Sequence, residues 1–197
     1  MQPRRMFLIL ITGGVIAATL AAPAVMASAS TIYRLAPSES AVTARVAFFG
    51  LASKTARFPG VSGSAAIAGR DPATLALDVE IDARRLEAPD TLTLKRLRGE
   101  KFFWVDRYPS VRFTGRGVRM DTSTSGRIGG ELTARGVTRP VTLEVRFARD
   151  PRSLAPGQAL AIAGETVIDR RDFGMTAYPL VVGRKVTIRI NARMEAD

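Results

Sequence analysis

The 197-residue chain carries 29 Lys and Arg against 18 Asp and Glu, a net charge of +11, with 46% hydrophobic residues and neither His nor Cys. The missing residue types exclude Ser-His-Asp and Cys-His catalysis, His-ligated zinc, haem held by His or Cys, and disulfides. Carboxylate and arginine chemistry remains, and so does binding.

The chain opens on Arg4 and Arg5, runs through an apolar stretch from Phe7 to Ala22, breaks at Pro23 and reaches Ala27, Ser28 and Ala29. A basic start, an apolar middle and small residues at an A-x-A site predict a secretory signal peptide over residues 1–29, cut after Ala29. The mature protein is then expected in the periplasm. Two rivals share these residues. The apolar stretch approaches the roughly 17 to 20 residues of a spanning helix, which an uncleaved anchor would use. Arg4-Arg5-Met6-Phe7-Leu8 also resembles a twin-arginine export signal. Loss of the leader takes the basic count from 29 to 27 against 18 acids.

Residues 30–197 are expected to form one domain, since no linker, charge block or low-complexity tract divides them. Three segments alternate apolar and polar residues. Leu75, Leu77, Val79 and Ile81 enclose Asp78 and Glu80, with Asp82 following. Val141, Leu143, Val145 and Phe147 enclose Thr142, Glu144 and Arg146. Val186, Ile188, Ile190 and Ala192 enclose Thr187, Arg189 and Asn191. Period two with one apolar face marks half-buried antiparallel strands. Strands are predicted near 31–36, 41–49, 61–69, 74–83, 110–119, 126–135, 139–148, 158–168 and 184–194, with a short one near 54–58. Turn residues such as Gly69-Arg70-Asp71-Pro72, Gly129-Gly130 and Asp150-Pro151 fall at or near their ends. The exception is Asp90 to Lys101, where Asp90 or Thr91 can cap a helix carrying Leu92, Leu94 and Leu97 among Lys95, Arg96, Arg98 and Lys101. The fold class is therefore all-β with one short helix; a sheet with one apolar face closes on itself or packs on a second sheet, and strands of this number and length suit a single small antiparallel β-barrel. A barrel of this size has an interior just wide enough for one ligand.

Several short motifs in fixed order carry a family resemblance. Thr91, Leu97-Arg98, Phe102-Phe103, Tyr108-Pro109, Val111 and Phe113 follow one pattern; Gly130-Glu131-Leu132-Thr133-Ala134-Arg135-Gly136-Val137-Thr138-Arg139-Pro140-Val141 follows a second; Arg170-Arg171-Asp172-Phe173-Gly174-Met175 follows a third. Together they resemble the YceI-like family over residues 31 to 195. The resemblance implies a lipocalin-like barrel in the bacterial periplasm that binds a polyisoprenoid or similar amphiphilic lipid in an apolar tunnel. The chain departs from the family where Thr93, Leu94, Lys95 and Arg96 replace its usual Arg-Asp-x-His, and where Phe49 and Ala56 stand for His or Ser and for Gly. The polar contacts of those family residues do not carry over, and the mouth chemistry is expected to differ.

For a binder, the candidate lining is Val42, Ala44, Val46 and Phe48 on one strand, Leu75, Leu77, Val79 and Ile81 on the next, then Val111 and Phe113, Val141, Leu143, Val145 and Phe147, and Ile188 and Ile190. A filled core would use the same alternation. Arg96, Arg98, Phe102, Phe103 and Arg170 are candidates for the mouth and the ligand head, with Phe102, Phe103 and Trp104 either gating one end or anchoring the helix. The expected partner is an isoprenoid-type lipid, with peripheral membrane contact through Lys95, Arg96, Arg98 and Lys101. Scattered aromatics speak against nucleic acid. No metal, cofactor or catalytic residue is expected, and nothing in the chain sets an oligomeric state. Two alternatives stay open. One is an enzyme using carboxylates and Arg on a hydrophobic substrate, with Asp172 as its test position. The other is a stress-related structural protein with a filled core. Asp78, Glu80 and Asp82 read as a solvent face, and Asp169 and Asp172 as turn caps or ion-pair partners of Arg170 and Arg171.

Overall fold

A computed structural model describes residues 30–197 except Pro156; the expected leader lies outside the described residues. Ten strands follow in chain order: β1 Ser30–Leu35, β2 Ala41–Phe48, β3 Ala52–Phe58, β4 Val61–Ala68, β5 Ala76–Asp82, β6 Ser110–Met120, β7 Ser125–Ala134, β8 Val137–Phe147, β9 Leu160–Asp169 and β10 Val182–Ala196. One helix, α1 Thr91–Arg98, lies between β5 and β6. The expected strands are all present. The helix ends three residues before Lys101, because Gly99 leaves the helical conformation at ψ 172°.

All pairings are antiparallel, in the order β1-β4-β5-β6-β7-β8-β9-β10, and β1 pairs again with β10 through Tyr33 to Ala196 and Leu35 to Met194. The sheet therefore closes as an eight-stranded barrel. The 15-residue β10 serves two partners: its end pairs with β1, while Val182 to Asn191 pairs with β2, which carries β3 beside it. The β2–β3 hairpin thus extends the wall at one end of the barrel.

Alternate connections of an antiparallel meander lie at alternate ends. The β5–β6 crossover with α1, the β7–β8 turn and the β9–β10 connection share one end, and the pairing of Val182 with Phe48 brings the β2–β3 turn to it. The β7–β8 turn has Arg135 and Gly136 at φ 51° and 73°, the left-handed pair that suits the twist of a two-residue hairpin.

The buried cluster faces inward from nearly every strand, including Leu35, Val61, Ile128, Leu143, Val145 and Met194. At one inward position the wall leaves out a side chain. A Cβ on Gly130, paired with Gly115, would strike the Thr114 carbonyl oxygen and come within 2.7 Å of the Phe113 ring. Glycine there lets the ring lie against the sheet.

Candidate functional site

The inward faces enclose a hollow of about 190 Å³. Fourteen sequence-predicted positions line it: Val42 and Ala44 on β2; Leu75 just before β5; Leu77, Val79 and Ile81; Val111 and Phe113; Val141, Leu143, Val145 and Phe147; Ile188 and Ile190. An engineered apolar cavity of roughly 150 Å³ stays dry and accepts benzene, so the barrel is hollow on a scale that admits hydrocarbon. Ser40 and Thr166 also line it, but their hydroxyls are engaged with the wall, Ser40 accepting from the Arg193 N–H at 3.2 Å and Thr166 donating to the Thr142 carbonyl at 2.8 Å. The lining holds no Asp or Glu.

Val46 and Phe48 sit elsewhere than expected. Both line a second pocket of about 370 Å³ at the helix end, because this half of β2 pairs with the bulged start of β10 above the closed ring. Leu92, Arg96 and Leu97 of α1, Phe102, Tyr178, Lys54 and Asp90 complete the walls. Ala44, Phe103, Arg170, Met175 and Val186 line both spaces, so hollow and mouth adjoin at these five side chains, here called the neck.

Phe103 meets Phe58 edge-on at 5.4 Å where the two spaces adjoin, whereas buried Phe102 stacks on Tyr178 at 6.2 Å and holds the helix segment down. Trp104 lines neither space; it packs edge-on against Tyr108, with Arg107 at 4.8 Å from its ring.

Two arginines depart from the mouth role expected of them. Arg98 lines neither space and donates to the Arg84 carbonyl at 2.8 Å, fastening α1 to the chain before it. Arg170, only 3% exposed, is at the neck but its three nitrogens donate to backbone carbonyls: Nε to Gly183 at 2.9 Å, Nη2 to Val182 at 2.8 Å, and Nη1 to Met175. Burial lowers its pKa, with Arg171 acting the same way and Asp169 opposing. It fixes the path of the β9–β10 connection. Arg96 does reach the mouth, 5.8 Å from the Tyr178 ring centre.

Asp90, Asp78 and Asp169 have structural occupations. Asp90 caps α1 by accepting from the Thr93 N–H at 2.7 Å and meets Lys54 at 3.1 Å. The Thr93 backbone and hydroxyl bonds, then Lys54, draw its pKa down to about 2, far from that of a group poised to exchange protons at neutral pH. Asp78 pairs with Arg112, whose hydrogen bond lowers its pKa. Asp169 caps the turn Arg170–Phe173 and lies 3.4 Å from Arg171. Asp172 borders a groove on the outer face of β8 and β9. No cluster of three or more acids suited to a metal ion occurs among the described residues.

The sequence reading missed much of the wall. Tyr33, Leu35, Ile128, Leu132, Ile162, Met175 and Met194 also line the hollow. Alternation through Leu160, Ile162, Gly164, Thr166 and Ile168 marks β9, but Gly and Thr dilute the apolar signal. Met175 lies in a connection, where no periodicity points inward.

A model described as the YceI-like domain matches residues 33–194. Among curated relatives, a UPF0312 protein of Shewanella oneidensis is 22% identical over 160 residues, covering 81% of this chain and 84% of the relative. Protein YceI of Escherichia coli O6:H1 is 28% identical over 134 residues, covering 68% and 70%. Among solved structures, Burkholderia cenocepacia BcnA superposes with a TM-score of 0.72 at 18% identity, covering 81% of this chain and 98% of that one. A polyisoprenoid binding domain from Saccharophagus degradans, implicated in plant cell wall breakdown, gives 0.64 at 16% identity, covering 84% and 98%.

Proposed function

The chain belongs to the YceI-like domain family, whose model matches residues 33–194, and from this premise we propose that it binds and carries an isoprenoid-type amphiphilic lipid without covalent chemistry. The observation that carries the reading is the apolar hollow of about 190 Å³ that adjoins, across five shared side chains, a mouth of about 370 Å³. Hollow and mouth offer a combined space in the range of small-molecule sites. The tail lies in the barrel, passes Phe103 and Met175, and leaves its head among Lys54, Arg96 and Tyr178. Burial of tail surface at roughly 25 cal/mol per Å² supplies the affinity, and the mouth selects the head. The polyisoprenoid-binding neighbour supports the ligand class.

The expected leader supports a periplasmic location: export removes residues 1–29, and intact mass of the exported protein starts at Ser30. A mature mass retaining Met1 overturns that part. The ligand is tested by native mass spectrometry of the purified protein before and after organic extraction. The expected outcome is a lipid adduct that extraction removes and a prenyl lipid restores. Protein that never carries lipid and takes up none when offered it refutes the binding reading.

A further inference from the structure

Among the described residues, seven large apolar or aromatic side chains are conspicuously exposed, and five of them surround the mouth: Phe49, Leu51, Leu92, Tyr178 and Leu180. They come from three segments, the β2–β3 turn, the start of α1 and the connection before β10. The Phe49 N–H donates to the Val181 carbonyl at 2.8 Å, which fastens the first segment to the third. Leu92, Tyr178 and Val181 line the mouth pocket. Leu51 and Leu180 project furthest, 100% and 95% exposed. Phe49 and Tyr178 stand at φ 52° and 53°, a costly backbone region for bulky residues that persists where its surroundings hold it. Lone exposed leucines are ordinary surface, whereas a ring of them around one opening marks an interaction site.

Cations accompany these tips. Arg96 and Lys101 lie 5.8 and 5.5 Å from the Tyr178 ring centre, and neither is paired with a carboxylate among the described residues. Asp90, the acid that lines the mouth, is occupied by Lys54 and the α1 cap. Arg98 contributes nothing, being tied to the Arg84 carbonyl.

We propose that this rim is a docking surface for an anionic lipid bilayer, with Leu51 and Leu180 entering the acyl boundary while Arg96 and Lys101 meet lipid phosphates. Apolar tips with adjacent unpaired cations match the interface of an anionic leaflet, where apolar burial and headgroup attraction act together. Separate tips projecting from three segments suit a yielding surface better than a rigid protein face. The orientation turns the neck toward the membrane, so an insoluble tail passes between bilayer and barrel without crossing water. That passage rests on the lipid-carrier reading; the docking does not.

The test uses residues 30–197, which contain all ten strands and the buried cluster, in extracted, lipid-free form. The protein is sedimented with phosphatidylglycerol–phosphatidylcholine vesicles and with phosphatidylcholine vesicles alone. The expected outcome is partition onto the anionic vesicles, weakened by 0.5 M salt, and at least tenfold weaker in the double variant Leu51→Asp, Leu180→Asp. Neither residue lines the hollow or the mouth, so loading from detergent-solubilised prenyl lipid, which bypasses the bilayer, stays at the wild-type level in that variant by native mass spectrometry. Equal partition of variant and wild type, equal binding to both vesicle types, or dimerisation through the rim in place of vesicle binding each overturns the proposal. The carrier reading survives such results as long as the protein still loads lipid.

Discussion

Arg170 shows how far a residue's letter is from its role. The motif around it was visible in the chain, and so was its position near the barrel's end, but an arginine forked to three carbonyls is written like one facing solvent. Burial turns it from a ligand contact into a structural clamp. Removing the side chain leaves the buried bond to the Met175 carbonyl and the part-buried bonds to Gly183 and Val182 without their donor; a buried group that loses a charged donor costs about 1 to 3 kcal/mol, and water can reach a half-buried one. Arg170→Ala is expected to lower stability by about 2 to 4 kcal/mol, a fall of roughly 10 °C in melting temperature, while Arg170→Lys rescues little because one ammonium cannot reach three carbonyls. Chemical denaturation of both variants checks this; full stability of the alanine variant removes the clamp. Asp90 behaves in the opposite way, because its cap was legible from a helix-start pattern. Its carboxyl is drawn from an ordinary value to about 2 by Thr93 and Lys54. A depressed carboxylate pKa contributes stability above the unfolded value near ~3.9 and loses it as pH falls through the folded one. The wild type should therefore melt above Asp90→Ala by a constant margin from pH 7 to about 5, and the margin should shrink between about pH 4 and pH 2. A margin that does not change with acidification would show that the carboxylate charge plays no part in the cap.

At the level of elements, strands were legible wherever one face is dry and the other wet, as along Leu77, Val79 and Ile81, since alternation follows directly from the pleat. Of the short turns, Pro72–Thr74 is marked in the sequence only by the break at Asp71-Pro72, and Ala83–Arg85 carries no break signal at all, because three residues are too few to show a period. The pairing of β10 with both β1 and β2 was equally hidden. The apolar alternation of β10 runs on through Met194 and Ala196, but an alternating strand does not say which strands lie on either side of it. The inward gap at Gly130 was visible only as a glycine in a motif. The structure assigns it a packing reason, since a methyl group there would strike the Thr114 carbonyl oxygen and lie 2.7 Å from the Phe113 ring, so Gly130→Ala should cost about 1 to 3 kcal/mol as overpacking. The companion Phe113→Leu, Gly130→Ala double variant should lose less than the sum of the two single variants, because the shorter side chain removes the ring contact and leaves only that with the Thr114 carbonyl. Thermal melts of the double and both single variants test the coupling; additive losses would trace the cost to the Thr114 carbonyl instead.

For the whole molecule, the difference between a container and a filled barrel lies below the resolution of pattern. Val145 is inward in both, and only the summed volume of side chains around the closed ring decides whether space remains. Space of about 190 Å³ remains, and at roughly 24 cal/mol per Å³ an unfilled apolar cavity of that size forfeits on the order of 5 kcal/mol. A tail that fills it recovers much of this loss, so extraction of lipid should lower the melting temperature by roughly 10 °C, and re-loading should restore it. Val145→Phe separates the two architectures. Val145 is 2% exposed and lines the hollow, so in a filled barrel a phenylalanine there overpacks and costs about 1 to 3 kcal/mol. In a hollow one the ring enters empty volume. The lipid-free variant should then melt at or above the lipid-free wild type, while its lipid adduct becomes shorter or scarcer and the stabilisation gained on loading shrinks. Melting temperature and native-mass profile on the same preparation decide the matter: destabilisation of the lipid-free variant with an unchanged lipid profile would mean that the space at Val145 is not where the tail lies.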